Sequence, residues 1–132
     1  MPNYNSQVSR RKAQESTLDV QPVISCTTVI LNNKKQFFVI ARDYQDPEAF
    51  NRRLSVRPTH LVGATSLKKT GALQLGGALL SDHSESAKMI GSIMVFNADS
   101  EKEVEEILKK DPYVTEKVWE HYQIIPFRQA SF

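Results

Sequence analysis

The chain has 132 residues, a formal net charge of +2, 40% hydrophobic and 24% charged residues, which suits one soluble domain around one modest core and excludes wholesale disorder. Its longest apolar run, Phe37 to Ala41, falls far short of the ~20 residues a membrane-spanning helix needs. A single cysteine, Cys26, leaves no internal disulfide and no cysteine-built zinc site.

The positive charge belongs to the head. Residues 1–35 carry Arg10, Arg11, Lys12, Lys34 and Lys35 against Glu15 and Asp19, whereas the remainder is slightly acidic. Phosphate binding needs a basic stripe on a folded surface, so neither nucleic acid nor a membrane is expected as a partner. The polar stretch 1–22 reads as a flexible extension, with the domain running from 23 to 132. Cysteine usage and the lack of an apolar leader point to the cytoplasm. Arg10-Arg11-Lys12 among serines leaves a mitochondrial presequence as the alternative, against which Glu15 and Asp19 argue.

Val23 to Leu31 is apolar and β-branched and reads as an additional strand, turning at Asn32-Asn33. Gln36 to Arg42 reads as a buried strand. Asp46-Pro47 forms an N-cap followed by proline, opening a short helical stretch that holds Phe50 and Leu54. The residue before a proline disfavours helix, so Arg57-Pro58 is expected to interrupt it. A second helix then starts at Pro58 and ends near Lys69, with Gly71 just past its end. Ala72–Leu80 and Met89–Phe96 read as an antiparallel pair of strands joined by the polar loop Ser81–Lys88. Ser100 and Glu103 form an S-x-x-E capping box ahead of a helix whose apolar face is Val104, Ile107 and Leu108. Glu105–Lys109 and Glu106–Lys110 are spaced as i,i+4 pairs. Pro112 stops this helix, one further turn fits Tyr113–Trp119, and Glu120–Phe127 reads as the last strand.

Strand, helix, strand, strand, helix, strand is the ferredoxin-like βαββαβ order: α+β, a four-stranded antiparallel sheet with two helices on one face. The other face needs cover, for which a second copy of the chain is the economical answer, so a homodimer is expected. The histidines have no metal-ligand spacing, and Gly71, Gly76 and Gly77 precede no G-K-[ST], so no metal and no cofactor is expected.

Arg53-Leu54-Ser55-Val56-Arg57-Pro58-Thr59-His60-Leu61 resembles the R-L-x-x-R-x-x-H-L pattern of the YciI-like (YCII-related) family. The likeness continues through Phe38–Asp43, Gly76-Gly77, Gly91-Ser92, Asp111-Pro112-Tyr113 and Ile125-Pro126-Phe127, covering roughly residues 36–128. Ala78 stands where many members have proline. The resemblance implies a dimeric α+β barrel. One branch of the family is a dehydrochlorinase acting on a chlorinated hydroxyhydroquinone, with a His–Asp pair for acid–base work. The pair carried over by the resemblance is His60 and Asp43.

In a βα unit the end of the strand and the start of the helix are neighbours, so Asp43 and a His60 in the first turn of a helix opened by Pro58 are expected to meet. A carboxylate fixes the imidazole tautomer and suits the ring to general-base work. Arg53, Arg57 and His60 stand at i, i+4 and i+7 and share a face if the helix is continuous, able to hold a carboxylate or phenolate. Each has a plain structural reading beside the functional one: an ion-pair partner of Asp46 or Glu48 for Arg57, a loop-opening residue for Asp43, a capping group for His60. Asp111 and Tyr113 are binding candidates whose plain reading is a helix stop followed by a packed ring. The functional expectation is a small cofactor-independent lyase- or isomerase-type enzyme acting on an enol, phenol or lactone-like molecule. The competing expectations are a non-catalytic metabolite-binding module and a dimerising domain whose head recruits a partner.

Overall fold

The structure, a computed structural model, describes residues 34–132. The extension 1–22 and the strand expected at Val23–Leu31 lie outside these residues.

The described elements are β1 (Lys35–Asp43), α1 (Ala49–Thr70), β2 (Leu73–Leu80), β3 (Met89–Ala98), α2 (Glu101–Lys109), α3 (Pro112–Thr115) and β4 (Trp119–Phe127). The four strands form one antiparallel sheet in the order β2-β3-β1-β4, as the element order implied. Alternation along β1 sends Phe37, Val39, Ala41 and Asp43 to the helix side, where they are buried, and leaves Phe38 and Ile40 on the other. The register places Met94 opposite Val39 and Phe96 opposite Phe37, so these join the same core with Leu73, Val104, Leu108, Tyr113, Val118 and Trp119. Gly91 has no room for a side chain: a Cβ there would run into the Ala41 carbonyl oxygen.

The capping box forms at α2, where Ser100 Oγ accepts the Glu103 N–H at 3.2 Å. Its reciprocal arm lands one residue early, Glu103 Oε1 accepting from the Asp99 N–H at 2.8 Å. Neither expected i,i+4 ion pair is made among the described residues. Glu105 turns inward instead and accepts a hydrogen bond from the Tyr122 hydroxyl at 2.6 Å.

The largest departure from expectation is α1. Proline at 58 does not break it: one helix runs from Ala49 to Thr70 with Pro58 inside. An interior proline lacks the N–H that would pair one turn back, and here the remaining helical bonds and the seating of both halves on the sheet carry the chain through. Asp46 does not cap the helix directly. Its carboxylate accepts from the Glu48 N–H and from Arg52, and the helix starts at Ala49. The far end matches expectation. Gly71 takes the left-handed conformation at φ 87° and its N–H returns to the Lys68 carbonyl, a geometry only glycine adopts at little cost.

The continuous helix puts His60 about three turns inside α1 rather than in a first turn, so no helix-start argument applies to it. It also puts Arg53, Arg57 and His60 on one face.

Candidate functional site

Asp111 opens α3 as its N-cap. Its Oδ1 accepts the Tyr113 N–H at 2.8 Å, and Pro112 takes the first helical position, where its missing N–H costs nothing. This cap aims the rest of the Asp111 carboxylate at α1, where His60 Nδ1 lies 2.8 Å from Oδ1 and 3.1 Å from Oδ2. The residue two further on supplies the ring beneath. Tyr113 stacks on His60 with centroids 3.8 Å apart and planes 7° from parallel, and Trp119 meets both rings edge-on. The three-residue run from Asp111 to Tyr113 thus holds the imidazole from two directions.

The partner of His60 is therefore Asp111, not Asp43. Asp43 belongs to a second, buried cluster. Arg53 Nη1 donates to both its carboxylate oxygens at 2.8 and 3.0 Å, and Arg53 Nη2 donates to Ser92 Oγ at 2.8 Å. Trp119 Nε1 donates to the same oxygen at 3.2 Å. The Arg53 guanidinium also lies 4.8 Å from the Tyr113 ring centroid, so the two clusters meet at Tyr113. Burial pushes the Asp43 carboxyl above its ordinary range, and the Arg53 guanidinium pulls back against that. Burial likewise holds the Tyr113 phenol above its usual value, with Arg53 and Arg57 opposing, so Tyr113 keeps its proton at neutral pH.

Arg53 was expected to hold substrate. It is 2% exposed and its two Nη groups donate to Asp43 and Ser92, so it positions its neighbours from the cavity wall. Arg57 is exposed and makes no hydrogen bond or ion pair among the described residues. Of the two ion-pair partners considered for it, Asp46 is taken by Arg52 at 2.9 Å and Glu48 accepts from Asn51 Nδ2.

A cavity of about 570 Å³ opens between α1 and the β2 side of the sheet, within the range of small-molecule sites. Arg57, His60, Asp111, Tyr113 and Ser92 line one part of it, and Leu61, Ala64, Leu67, Leu73, Met94 and Phe96 line the rest. Because a carboxylate only accepts, its contact with Nδ1 requires the proton there, and the neutral ring then carries its lone pair on Nε2. Nε2 has no hydrogen-bond partner among the described residues and is not among the fully buried unpartnered atoms, and His60 lines the cavity. The arrangement offers an oriented base, an unpaired guanidinium and a phenol around one space. No group of three or more His, Cys, Asp or Glu suited to a metal ion occurs among the described residues, nor is any helix there long and apolar enough to cross a membrane.

Sequence reasoning missed Ser92 and did not pair Asp111 with His60. The signal for Ser92 was a hydroxyl inside the apolar strand M-I-G-S-I-M-V-F, in step with Met94 and Phe96. The signal for Asp111 was its place in Asp-Pro-Tyr, a cap whose carboxylate has a free side. Nothing local marked that side as facing a histidine 51 positions away.

A four-stranded antiparallel sheet with helices on one face and a histidine–carboxylate pair beside a cavity defines a small ferredoxin-like α+β domain. The chain belongs to the YCII-related domain family, whose sequence profile matches residues 36–128. Fusaric acid biosynthesis protein 2 of Gibberella moniliformis is 33% identical over 99 residues, covering 71% of this chain and 93% of that protein. Protein YciI of Escherichia coli is 31% identical over 97 residues, covering 71% and 97%. Among solved structures, the 5-chloro-2-hydroxyhydroquinone dehydrochlorinase of Burkholderia phenoliruptrix, in complex with 2,5-dihydroxybenzoquinone, superimposes with a TM-score of 0.61 at 22% identity, over 71% of this chain and 95% of that one. That likeness establishes the shared fold.

Proposed function

We propose that this chain is a small acid–base enzyme, of lyase or isomerase type, acting on an enol, phenol or lactone-like molecule. The observation that carries the reading is the His60–Asp111 contact at 2.8 Å on a histidine that lines the cavity. In the proposed step His60 Nε2 removes a proton from a carbon next to a carbonyl. The electron pair of the broken C–H bond moves onto that carbonyl oxygen, beside Arg57. The imidazolium formed is stabilised through Nδ1 by Asp111, as in other histidine–carboxylate pairs. The electron pair then either expels a leaving group from the neighbouring carbon, an elimination, or takes a proton back at another carbon, an isomerisation. His60 and Tyr113 are the proton donors at hand. The fold shared with a dehydrochlorinase and relatives in secondary-metabolite biosynthesis support a small organic substrate of this kind.

A stable anionic enol tests the reading. 2,5-Dihydroxybenzoquinone in heavy water should bind saturably and exchange its ring hydrogens for deuterium at a rate the protein raises. His60→Ala should slow that exchange about 100-fold or more, and Asp111→Asn should slow it with binding retained. Exchange unchanged in His60→Ala sinks the proposal. Saturable binding with no exchange favours the second reading, a non-catalytic metabolite-binding or dimerising module.

The proposal includes a second copy of the chain over the helix-free face of the sheet. Ile125, Phe38, Val95 and Leu75 lie side by side across all four strands there, with Ile40 and Ile93 in the next row. Leu75 and Ile125 are 45% and 42% exposed in the single chain. An apolar surface of that continuity favours burial against a like surface.

A further inference from the structure

We infer that the cavity takes a molecule in two parts: an anionic head at His60 and Arg57, and a flexible apolar tail lying in a trough between α1 and β2. The inference rests on the site proposed above and names its substrate class.

The trough exists because side chains are missing from one row of β2. The register sets Gly76 opposite Met94 and Ala78 opposite Ser92, and Met94 and Ser92 both face the helix side. Two consecutive helix-facing positions of β2 therefore carry nothing larger than a methyl group. A Cβ built at Gly76 would meet Met94 Cγ at 3.4 Å, and nothing nearer. Across the gap α1 presents Leu61, Ala64 and Leu67, and Met94 and Phe96 of β3 form the inner wall. These surfaces offer apolar contact and few hydrogen-bond partners, which suits hydrocarbon and not a second polar group.

The histidine and its carboxylate stand at one end, while the lining farther along α1 includes Thr65, Lys68 and Lys69. His60, Arg57, Asp111, Tyr113 and Ser92 gather at the first end. The other end closes at Lys68, whose ammonium is tied to the Gln74 carbonyl at 2.8 Å. His60 and Lys68 are separated along α1 by about 12 Å at the rise of a helix. A one-ring substrate at His60 leaves most of that length unfilled. A tail running under α1 fills it and anchors the head by apolar contact remote from the reacting atoms, the use of binding energy that favours catalysis.

Straight-chain alkanoates are the probes: butanoate, hexanoate, octanoate, decanoate and dodecanoate, followed by calorimetry and by the NMR signals of the His60 ring. The Kd should fall about fourfold per methylene and level off once the tail reaches Lys68, with His60 shifting for every member. Gly76→Leu should abolish the gain with length and leave butanoate binding as it was. Ala78→Leu, at the next helix-facing position, serves if circular dichroism shows the first variant unfolded. Butanoate binding that shifts His60 with no dependence on length overturns the trough and leaves the head site standing. A length dependence that survives both substitutions also overturns it, since the tail then lies elsewhere. A length dependence lost in Gly76→Leu but with no shift at His60 supports the trough and removes the His60 site instead.

Discussion

Arg53 brings a full charge into the interior, and every side chain around it answers that charge. Two hydrogen bonds go to Asp43, one to Ser92, and the Tyr113 ring lies under the guanidinium. Its Nε is buried with no partner, a cost of roughly 1–3 kcal/mol. Buried pairs of this kind are weak contributors to net stability yet expensive to break, because one partner alone is an uncompensated charge. Arg53→Met should therefore destabilise the fold by about 3–5 kcal/mol, read by urea denaturation, and Asp43→Asn made on that background should recover part of the loss. Tyr122 gives a pH dependence. Burial and its hydrogen bond to Glu105 push its phenol up to about 12, against about 10 in the unfolded chain. The folded state thus holds this proton more tightly than the unfolded one. The contribution is whole below about pH 10 and is lost as the pH rises from about 10 to about 12. Tyr122→Phe should remove that part of the alkaline slope in thermal melts.

At the scale of elements, α1 is a long helix held by few contacts. Only Ala49 and Arg53 are fully buried along it, with Val56, Ala64 and Leu67 packed more lightly, while Leu61 and Val62 stay 42% and 70% exposed. Pro58 sits inside this helix and withholds one backbone hydrogen bond. Because both sides of the proline are already helical, Pro58→Ala should stabilise the protein, by about 1–3 kcal/mol, seen as a raised Tm. A lowered Tm would mean that the proline's rigidity, not its missing bond, governs the entry of α1 into the site. The short α3 works through its cap and its ring: Asp111 serves Tyr113 N–H on one side and His60 on the other, and Tyr113 stacks on His60.

Among the described residues, one face of the sheet is covered by helices and the other carries an apolar row, Ile125, Phe38, Val95 and Leu75, across all four strands. Ile125→Glu places a charge among Phe38, Val95 and Leu75 on that face. In the proposed homodimer it should shift sedimentation equilibrium from dimer to monomer, leaving the far-UV spectrum unchanged because Ile125 is 42% exposed in the single chain. A parent chain that sediments as a monomer at all concentrations removes the dimer from the proposal.

The strands, the capping box, the stop at Gly71 and the βαββαβ order were legible in the residues because each depends on neighbours within a few positions: alternation, caps and turn formers. The family was legible for a related reason, since its motifs are short and their spacing survives in one chain. Two things were not. Pro58 read as a break because its local effect opposes a helix, and only the packing of both halves of α1 on the sheet outweighs it. The partner of His60 read as Asp43 because chain connectivity makes a strand end and a helix start neighbours. Yet a buried guanidinium claims the carboxylate it can meet with two hydrogen bonds, and Arg53 reaches Asp43 in that way. Asp111 is left for the histidine. Which acid serves which base is a competition among groups distant in sequence, and only the tertiary structure decides it.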